Sequence, residues 1–373
     1  MAMSDVRFVT VSTRSRLAEA AVLAASLEAV HPGVGRLLFL AEREVRPSDR
    51  SCGWEVRPVA ALPLPEPARF LFQYPAFELC CALKPYALEA GLAGGERGGA
   101  VYLDGDMLAL APFLDLVEAA WQDADVWLTP HLRTLKPSVS FPTLLQTGAY
   151  NAGFLAVRDG VDGRRFLRWF QERTARDCIQ DFREGLFVDQ KWLDLAAAVC
   201  PGVRPLRYPG INVGHWSLHE FTFEEQASGA ILVDGKERVD LFHFSGLGER
   251  SLSRHSTLPV PAAIGRLAAG YREKREAQRV RFGAQEPYTL GLFADGATIL
   301  PAHREAVRTG RCEAADPFSA RDTVERDSVG AAPPARSGEA VFEADRQLRR
   351  LRVHPVIGRV WRFWKQWVNH ELP

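Results

Sequence analysis

Asp104-Gly105-Asp106 follows the apolar run Ala100-Val101-Tyr102-Leu103, which reads as a buried strand, and apolar character resumes at Met107-Leu108. Side chains alternate along a strand with a period of two, so an Asp-x-Asp at a strand's end puts two carboxylates on one side of the chain. Gly105 between them lets the backbone turn or a ligand approach closely. Two hard oxygen donors facing one way suit a divalent cation that also holds a diphosphate. That is the chemistry of an enzyme using a nucleotide-sugar donor. The alternative is a surface turn, where Asp-Gly is common.

The elements that must position this pair read as alternating strands and helices. Val6–Val11 is a first strand, followed by Ser12-Thr13-Arg14-Ser15 and a helical pattern from Leu17 to about Val30. Arg36–Leu40 and Trp54–Val59 are further strands, and this order predicts a parallel sheet with covering helices. Phe77–Leu88 is predicted as a helix broken or kinked near Pro85. The Gly-rich stretch 91–99 delivers the chain into the strand before Asp104. Strands are expected at Asp125–Leu128, Gly153–Val157 and Leu241–Phe244, and helices at Arg164–Arg173, Gln190–Ala198 and Pro261–Ala277. Tyr288–Leu292 and Ala297–Leu300 read as a small hairpin around Asp295-Gly296. Residues 316–338, rich in Ala, Pro, Ser, Asp and Arg, read as a mobile linker. Val356, Ile357, Val360, Phe363, Trp364 and Trp367 recur at helical spacing near the C-terminus. A basic, Trp-rich helix of that kind suits either the inner face of a membrane or docking on its own domain or a second subunit.

The composition sets bounds. The 373 residues are 47% hydrophobic, enough for one large or two ordinary domains. Formal net charge is zero, with 46 basic and 46 acidic residues, so no nucleic-acid partner is indicated. No cysteine pair among Cys52, Cys80, Cys81, Cys178, Cys200 and Cys312 has C-x-x-C spacing, and buried thiols in a reducing compartment are expected. Val6–Val11 is too short for a signal-peptide core, and no apolar run spans a bilayer. A cytoplasmic protein, at most peripheral to the membrane, is expected.

Seven segments taken in order resemble a family. They are Ala82-Leu83-Lys84-Pro85-Tyr86-Ala87-Leu88, Val101-Tyr102-Leu103-Asp104-Gly105-Asp106, Leu128-Thr129-Pro130-His131 and Gly148-Ala149-Tyr150-Asn151-Ala152-Gly153-Phe154. Phe187-Val188-Asp189-Gln190-Lys191-Trp192, Tyr208-Pro209-Gly210-Ile211-Asn212-Val213 and Phe242-His243-Phe244-Ser245-Gly246 complete the set. Over roughly the first 255 residues the chain resembles bacterial glycosyltransferases of the GT-A type, similar to glycogenin-like and lipopolysaccharide galactosyl- and glucosyltransferase-like enzymes of family 8. The resemblance implies an α/β nucleotide-diphospho-sugar transferase fold, a Rossmann-like mixed sheet flanked by helices, with a mainly helical C-terminal extension. The implied domains are a catalytic 1–255, an extension 256–315, a linker 316–338 and an amphipathic helix 339–373.

It also implies Mn2+ or Mg2+, a nucleotide-sugar donor such as a UDP-sugar, and a glycan or glycolipid acceptor, with bacterial surface polysaccharide synthesis as the default setting. Asp104 and Asp106 match the metal-binding Asp-x-Asp and His243 the completing ligand, a set that suits manganese; the alternative for His243 is a core histidine between two Phe residues. Thr10, Val11 and Arg14 stand where the resemblance puts the nucleoside, beyond the first strand's carboxyl end, although Ser12 or Ser15 could simply cap a helix there. Lys84 matches a donor-facing Lys, or else snorkels to solvent. Gly105 and Gly246 belong to the donor-binding set, as does Asn151, which is otherwise a turn residue. Asp189 and Gln190 match positions beside the transferred sugar and are the catalytic candidates in a retaining transfer; Asp189 could instead cap the following helix. The usual Lys-Pro-Trp run after Gly246 is replaced by Leu247-Gly248-Glu249-Arg250, leaving Arg250 or Arg254 as candidate diphosphate groups. A nucleotidyltransferase would want a Gly-rich first loop, which this chain lacks, and a non-catalytic scaffold would not need Asp104, Asp106 and His243.

Overall fold

The structure, a computed structural model, describes residues 6–92, 98–134, 141–245, 260–282 and 287–329. The chain opens with β1 (Val6–Ser12), α1 (Leu17–Val30), β2 (Gly35–Leu40), β3 (Glu55–Pro58), α2 (Pro67–Gln73) and α3 (Ala76–Leu92). It continues through β4 (Gly99–Leu103), β5 (Met107–Ala109), α4 (Leu114–Ala120), β6 (Val126–Pro130), α5 (Phe141–Thr147), β7 (Tyr150–Arg158) and α6 (Val161–Thr174). Two short strands, β8 (Gln180–Asp181) and β9 (Leu186–Phe187), lead into α7 (Val188–Val199) and β10 (Val203–Pro205). A meander of β11 (Phe223–Glu225), β12 (Ile231–Val233) and β13 (Glu237–Arg238) precedes β14 (Leu241–His243). Three helices follow, α8 (Ala262–Phe282), α9 (Pro301–Arg308) and α10 (Arg321–Asp327).

The main sheet has seven strands in the order β10-β6-β7-β4-β1-β2-β3, the α/β class expected. Its central strands β1, β4 and β7 are buried on both faces, as strands covered by helices must be, while the edge strand β3 exposes Glu55 and Arg57. Val9, Val11, Ala100, Tyr102, Leu155 and Val157 face the core under α3 and α6, while Phe8, Val101, Leu103, Phe154 and Ala156 face the core under α1. β1 pairs in parallel with β2 and β4, and β6 with β10, but β7 runs antiparallel to both β4 and β6. The start of β7 therefore meets the carboxyl ends of β1, β4 and β6 at one edge of the sheet, where ligands bind in open α/β folds. A register shift at Leu128/Thr129 re-aims the end of β6 toward the same edge.

Three expectations need correction. The third helix does not break at Pro85: α3 runs unbroken from Ala76 to Leu92, because apolar packing of Leu79, Leu83, Ala87 and Leu88 outweighs a local cost of about 3 kcal/mol. The expected hairpin around Asp295-Gly296 is a single bridge, Leu292 to Thr298, flanked by a 3-10 turn and α9. The first part of the expected linker is folded: α10 packs Val324, and Phe318 lies against Phe72. The rest of that stretch, the C-terminal amphipathic segment, and Gly246, Arg250 and Arg254 lie outside the described residues. No helix among the described residues is long and apolar enough to cross a membrane.

Candidate functional site

The two carboxylates of Asp104 and Asp106 do converge, but strand alternation is not the reason. β4 ends at Leu103, and residues 104–107 form a turn closed by Met107 N–H donating to the Asp104 carbonyl at 3.2 Å. The turn leads into β5, which pairs with β14 so that His243 stands opposite Met107. Phe244 N–H donates to the Asp106 carbonyl at 2.9 Å and locks the two segments together. His243 Nε2 then lies 3.0 Å from Asp106 Oδ1 and 3.7 Å from Asp104 Oδ2. One ligand atom from each of the three residues falls within 4.8 Å of the others.

Gly105 lies in this turn, but its φ is not left-handed and a Cβ there would only touch Ala20 at an ordinary 3.8 Å, so the turn itself does not require glycine. The glycine this site needs is Gly153. A Cβ there would stand 2.5 Å from the His243 ring and 2.8 Å from Asn151 Oδ1, so only a bare backbone leaves room for the imidazole.

Lys84 meets anions rather than solvent. Its ammonium is 3.3 Å from Asp104 Oδ1 and 3.2 Å from Asp189 Oδ2, and it donates to the Ala152 carbonyl at 3.1 Å. It also lies 5.0 Å from the centre of the Tyr102 ring, whose hydroxyl donates to Asp104 Oδ1 at 3.1 Å. Burial alone would lower the Lys84 pKa, but Asp104 and Asp189 push it well above the ordinary value. Burial raises the Asp189 carboxyl, and the attraction of Lys84 offsets this only in part. For Asp106 burial also pushes upward, yet His243 and Arg16 outweigh it and hold the carboxyl below the usual range.

Exposure separates frame from opening. The Lys84 and Asp189 side chains are 5% and 1% exposed, whereas those of Asp104 and Asp106 are 29% and 30%. A ligand reaches this cluster by way of the two carboxylates.

Asp189 neither caps its helix nor presents an open carboxylate: α7 starts one residue earlier, at Val188, and Asp189 is turned onto Lys84. Val188 carries φ +43°, costly for a β-branched residue. Gln190 is also committed, its amide N–H donating to the Thr147 carbonyl at 2.8 Å and its oxygen accepting from Ala152 N–H at 3.3 Å. Asn151 is no simple turn residue. Its oxygen accepts from Gly153 N–H and Asn212 Nδ2, and its nitrogen donates toward His131 and Gln190. Thr129 is buried and donates to the Asn151 carbonyl at 3.3 Å, and burial pushes the His131 ring down to about 4. Trp216 stands edge-on to both His131 and His243.

The first-strand residues form a separate, closed cluster. Thr10 and Val11 are buried. Arg14 is not free to meet a ligand: its guanidinium bonds Asp49 at 3.1–3.4 Å and the Glu44 carbonyl at 3.0 Å. Glu42 accepts from Arg14 N–H and from Thr289 N–H. Neither Ser12 nor Ser15 caps a helix, since neither helix start there has a side-chain cap.

Asn212, Gly153 and Tyr102 are the site residues that residue-by-residue reading passes over. Tyr102 alone carried a usable sign, sitting two positions before Asp104 on the same side of β4.

No protein-family profile matches the chain. Over 179 residues it is 31% identical to the uncharacterized protein YfnF of Bacillus subtilis (strain 168), covering 45% of this chain and 56% of that protein. The chain thus spans little more than half the length of this relative. Similar solved structures include the galactosyltransferase LgtC in complex with donor and acceptor sugar analogs, at 15% identity over 73% of this chain and 95% of that chain, TM-score 0.42. The glycosyltransferase GlyE of Streptococcus pneumoniae TIGR4 is 11% identical over 78% of this chain and 67% of its own, TM-score 0.44. Mouse xyloside xylosyltransferase 1 is 12% identical over 65% and 98% of the two chains, TM-score 0.41.

Proposed function

We propose that this chain is a divalent-cation-dependent glycosyltransferase that moves a sugar from a nucleoside-diphosphate donor to a hydroxyl of a glycan or glycolipid acceptor. The observation that carries the reading is the convergence of Asp104, Asp106 and His243 at the carboxyl edge of the central sheet, with the two carboxylates open and all else closed. Two carboxylates and an imidazole suit a borderline cation such as Mn2+. Bound there, the cation would act as a Lewis acid on the leaving diphosphate.

The chain's own residues divide the remaining work. Asp104 and Asp106 hold the cation, and His243 completes the set. Lys84 stays charged and adds a fixed positive potential where negative charge develops, the situation in which preorganised charge is most effective. Asp189 holds Lys84 in place, a role that fits its buried ion pair better than nucleophilic attack does. Gln190 keeps the start of β7 against α7. With Asp189 taken up by Lys84 in this assignment, the departing diphosphate takes the acceptor's proton, and retention is what the family resemblance implies.

A thermal-shift panel of nucleotide sugars with Mn2+ tests the donor, since a preferred donor stabilises the folded state by mass action. Asp106→Asn should lower metal-dependent donor hydrolysis by roughly 100-fold or more while the melting temperature stays close to that of the parent. Undiminished hydrolysis by Asp106→Asn, or activity indifferent to chelator, would sink the proposal. A scaffold that merely keeps the fold would hydrolyse no donor at all. The anomeric configuration of the product, read by NMR, decides retention.

A further inference from the structure

The hydrogen bonds behind His243 form a chain whose direction is fixed by backbone groups. Gly153 N–H can only donate, so the Asn151 atom it meets at 3.0 Å is the amide oxygen. That orientation turns the Asn151 nitrogen toward His131 and Gln190. Both partners agree: His131 Nδ1 donates to the Gly148 carbonyl, leaving its Nε2 as an acceptor, and Gln190 presents the oxygen that already accepts from Ala152 N–H. Asn212 reaches the Asn151 oxygen at 3.0 Å and must do so with its amide nitrogen, which also donates to Thr129 Oγ1 at 2.6 Å. The Asn212 oxygen therefore faces His243 Nδ1, 3.0 Å away, and an oxygen there demands a proton on Nδ1.

We propose that Asn212 is a positioning residue of the cation site: it fixes His243 with Nδ1 protonated, turns Nε2 toward the position a cation would take beside Asp104 and Asp106, and through Asn151 ties that orientation to Gln190. The inference rests on the cation site proposed above and adds the group that sets its geometry. A metal-ligating imidazole commonly donates its other N–H to an oxygen that fixes ring and tautomer. Asn suits the position for a second reason. Residue 212 has φ +53°, a left-handed conformation that Asn adopts more readily than most side chains, and its side chain is fully buried. The Trp216 edge against His243 and the bare backbone at Gly153 leave the ring in this one seat.

The test uses Asn212→Gly, which keeps the left-handed backbone without strain and removes the oxygen that faces His243. Mn2+ titrations followed by EPR should show about 10- to 100-fold weaker binding in Asn212→Gly. Proton NMR of the protein saturated with diamagnetic Mg2+, with the His243 signal identified from its loss in His243→Gln, should show a slowly exchanging, hydrogen-bonded Nδ1–H in the parent that is lost in Asn212→Gly. A role confined to folding would not remove that one proton. Unchanged Mn2+ affinity and an unchanged His243 signal in Asn212→Gly would overturn the inference. The two failures separate: parent protein that binds no Mn2+ overturns the proposed function, whereas the NMR signal decides the role of Asn212.

Discussion

Two clusters of ionised side chains lie just past central strands, one beyond β4 and one beyond β1, and they differ in how their charges are paired. Beyond β1 cation and carboxylates are turned on one another: Arg14 is taken up by Asp49, and Glu42 by Arg14 N–H and Thr289, although Arg14 Nη1 and Thr10 Oγ1 stay buried without a hydrogen bond. Beyond β4, three acceptor atoms converge, and the one ammonium nearby, Lys84, sits behind them between Asp104 and Asp189. Buried charge by itself does not mark a site. A surplus of acceptors facing an opening does, because only a cation or proton from outside can complete it.

Breaking each cluster at its central cation should give equal damage to the fold and unequal damage to the site. Lys84→Met leaves Asp189 buried without a counter-charge and should cost about 3–5 kcal/mol in urea denaturation, with most of it restored by adding Asp189→Leu. Arg14→Met strands Asp49 and should cost a similar amount, yet leave Mn2+ affinity within about twofold, since distant sites act independently. Mn2+ affinity lost along with Arg14 would erase the distinction drawn between the clusters. Gly153→Ala comes next. Its Cβ meets the His243 ring and should cost about 1–3 kcal/mol by overpacking, with the loss of Mn2+ binding out of proportion to the change in urea midpoint.

A pH dependence sharpens the comparison further. Burial holds His131 at about 4, below its ordinary 6.5. Between those values the unfolded chain binds a proton that the folded chain does not, so this residue's contribution to stability falls as pH drops from 6.5 toward 4 and is constant above 6.5. The slope should be about 1.4 kcal/mol per pH unit. His131→Gln should flatten it in urea midpoints taken between pH 4.5 and 7; an unchanged slope would place the effect elsewhere.

Much of the sheet was legible because its strands are short apolar runs whose alternation is visible in the sequence, as in Ala100–Leu103 and Phe154–Val157. The pair Asp104 and Asp106 was legible by type and spacing, and its convergence with His243 by resemblance. The turn was legible only as the alternative that Asp-Gly offers, because the apolar runs on either side favoured a strand reading. The commitment of Arg14 was hidden too. A charged residue beyond a strand looks the same whether its partner is a ligand or Asp49, and Asp49 lies 35 residues away. Asn212 escaped because its importance lies in what it bonds rather than in what it is. The linker expectation for residues 316–329 failed for a related reason: composition lacks periodicity there, but Phe318 and Val324 each find a place in a core formed by distant segments.

The Thr289–Glu42 contact gives the molecule a timetable. Its two residues are 247 positions apart in sequence. During synthesis β1, β2 and Arg14 emerge early, and Glu42 can accept from Arg14 at once. The Thr289 N–H and hydroxyl that complete Glu42 arrive only after all seven strands of the central sheet have been made. Until then a carboxylate that is buried in the finished protein stays hydrated, and the first loop stays unsealed. The loop after β1 is thus closed by a residue made much later in the chain.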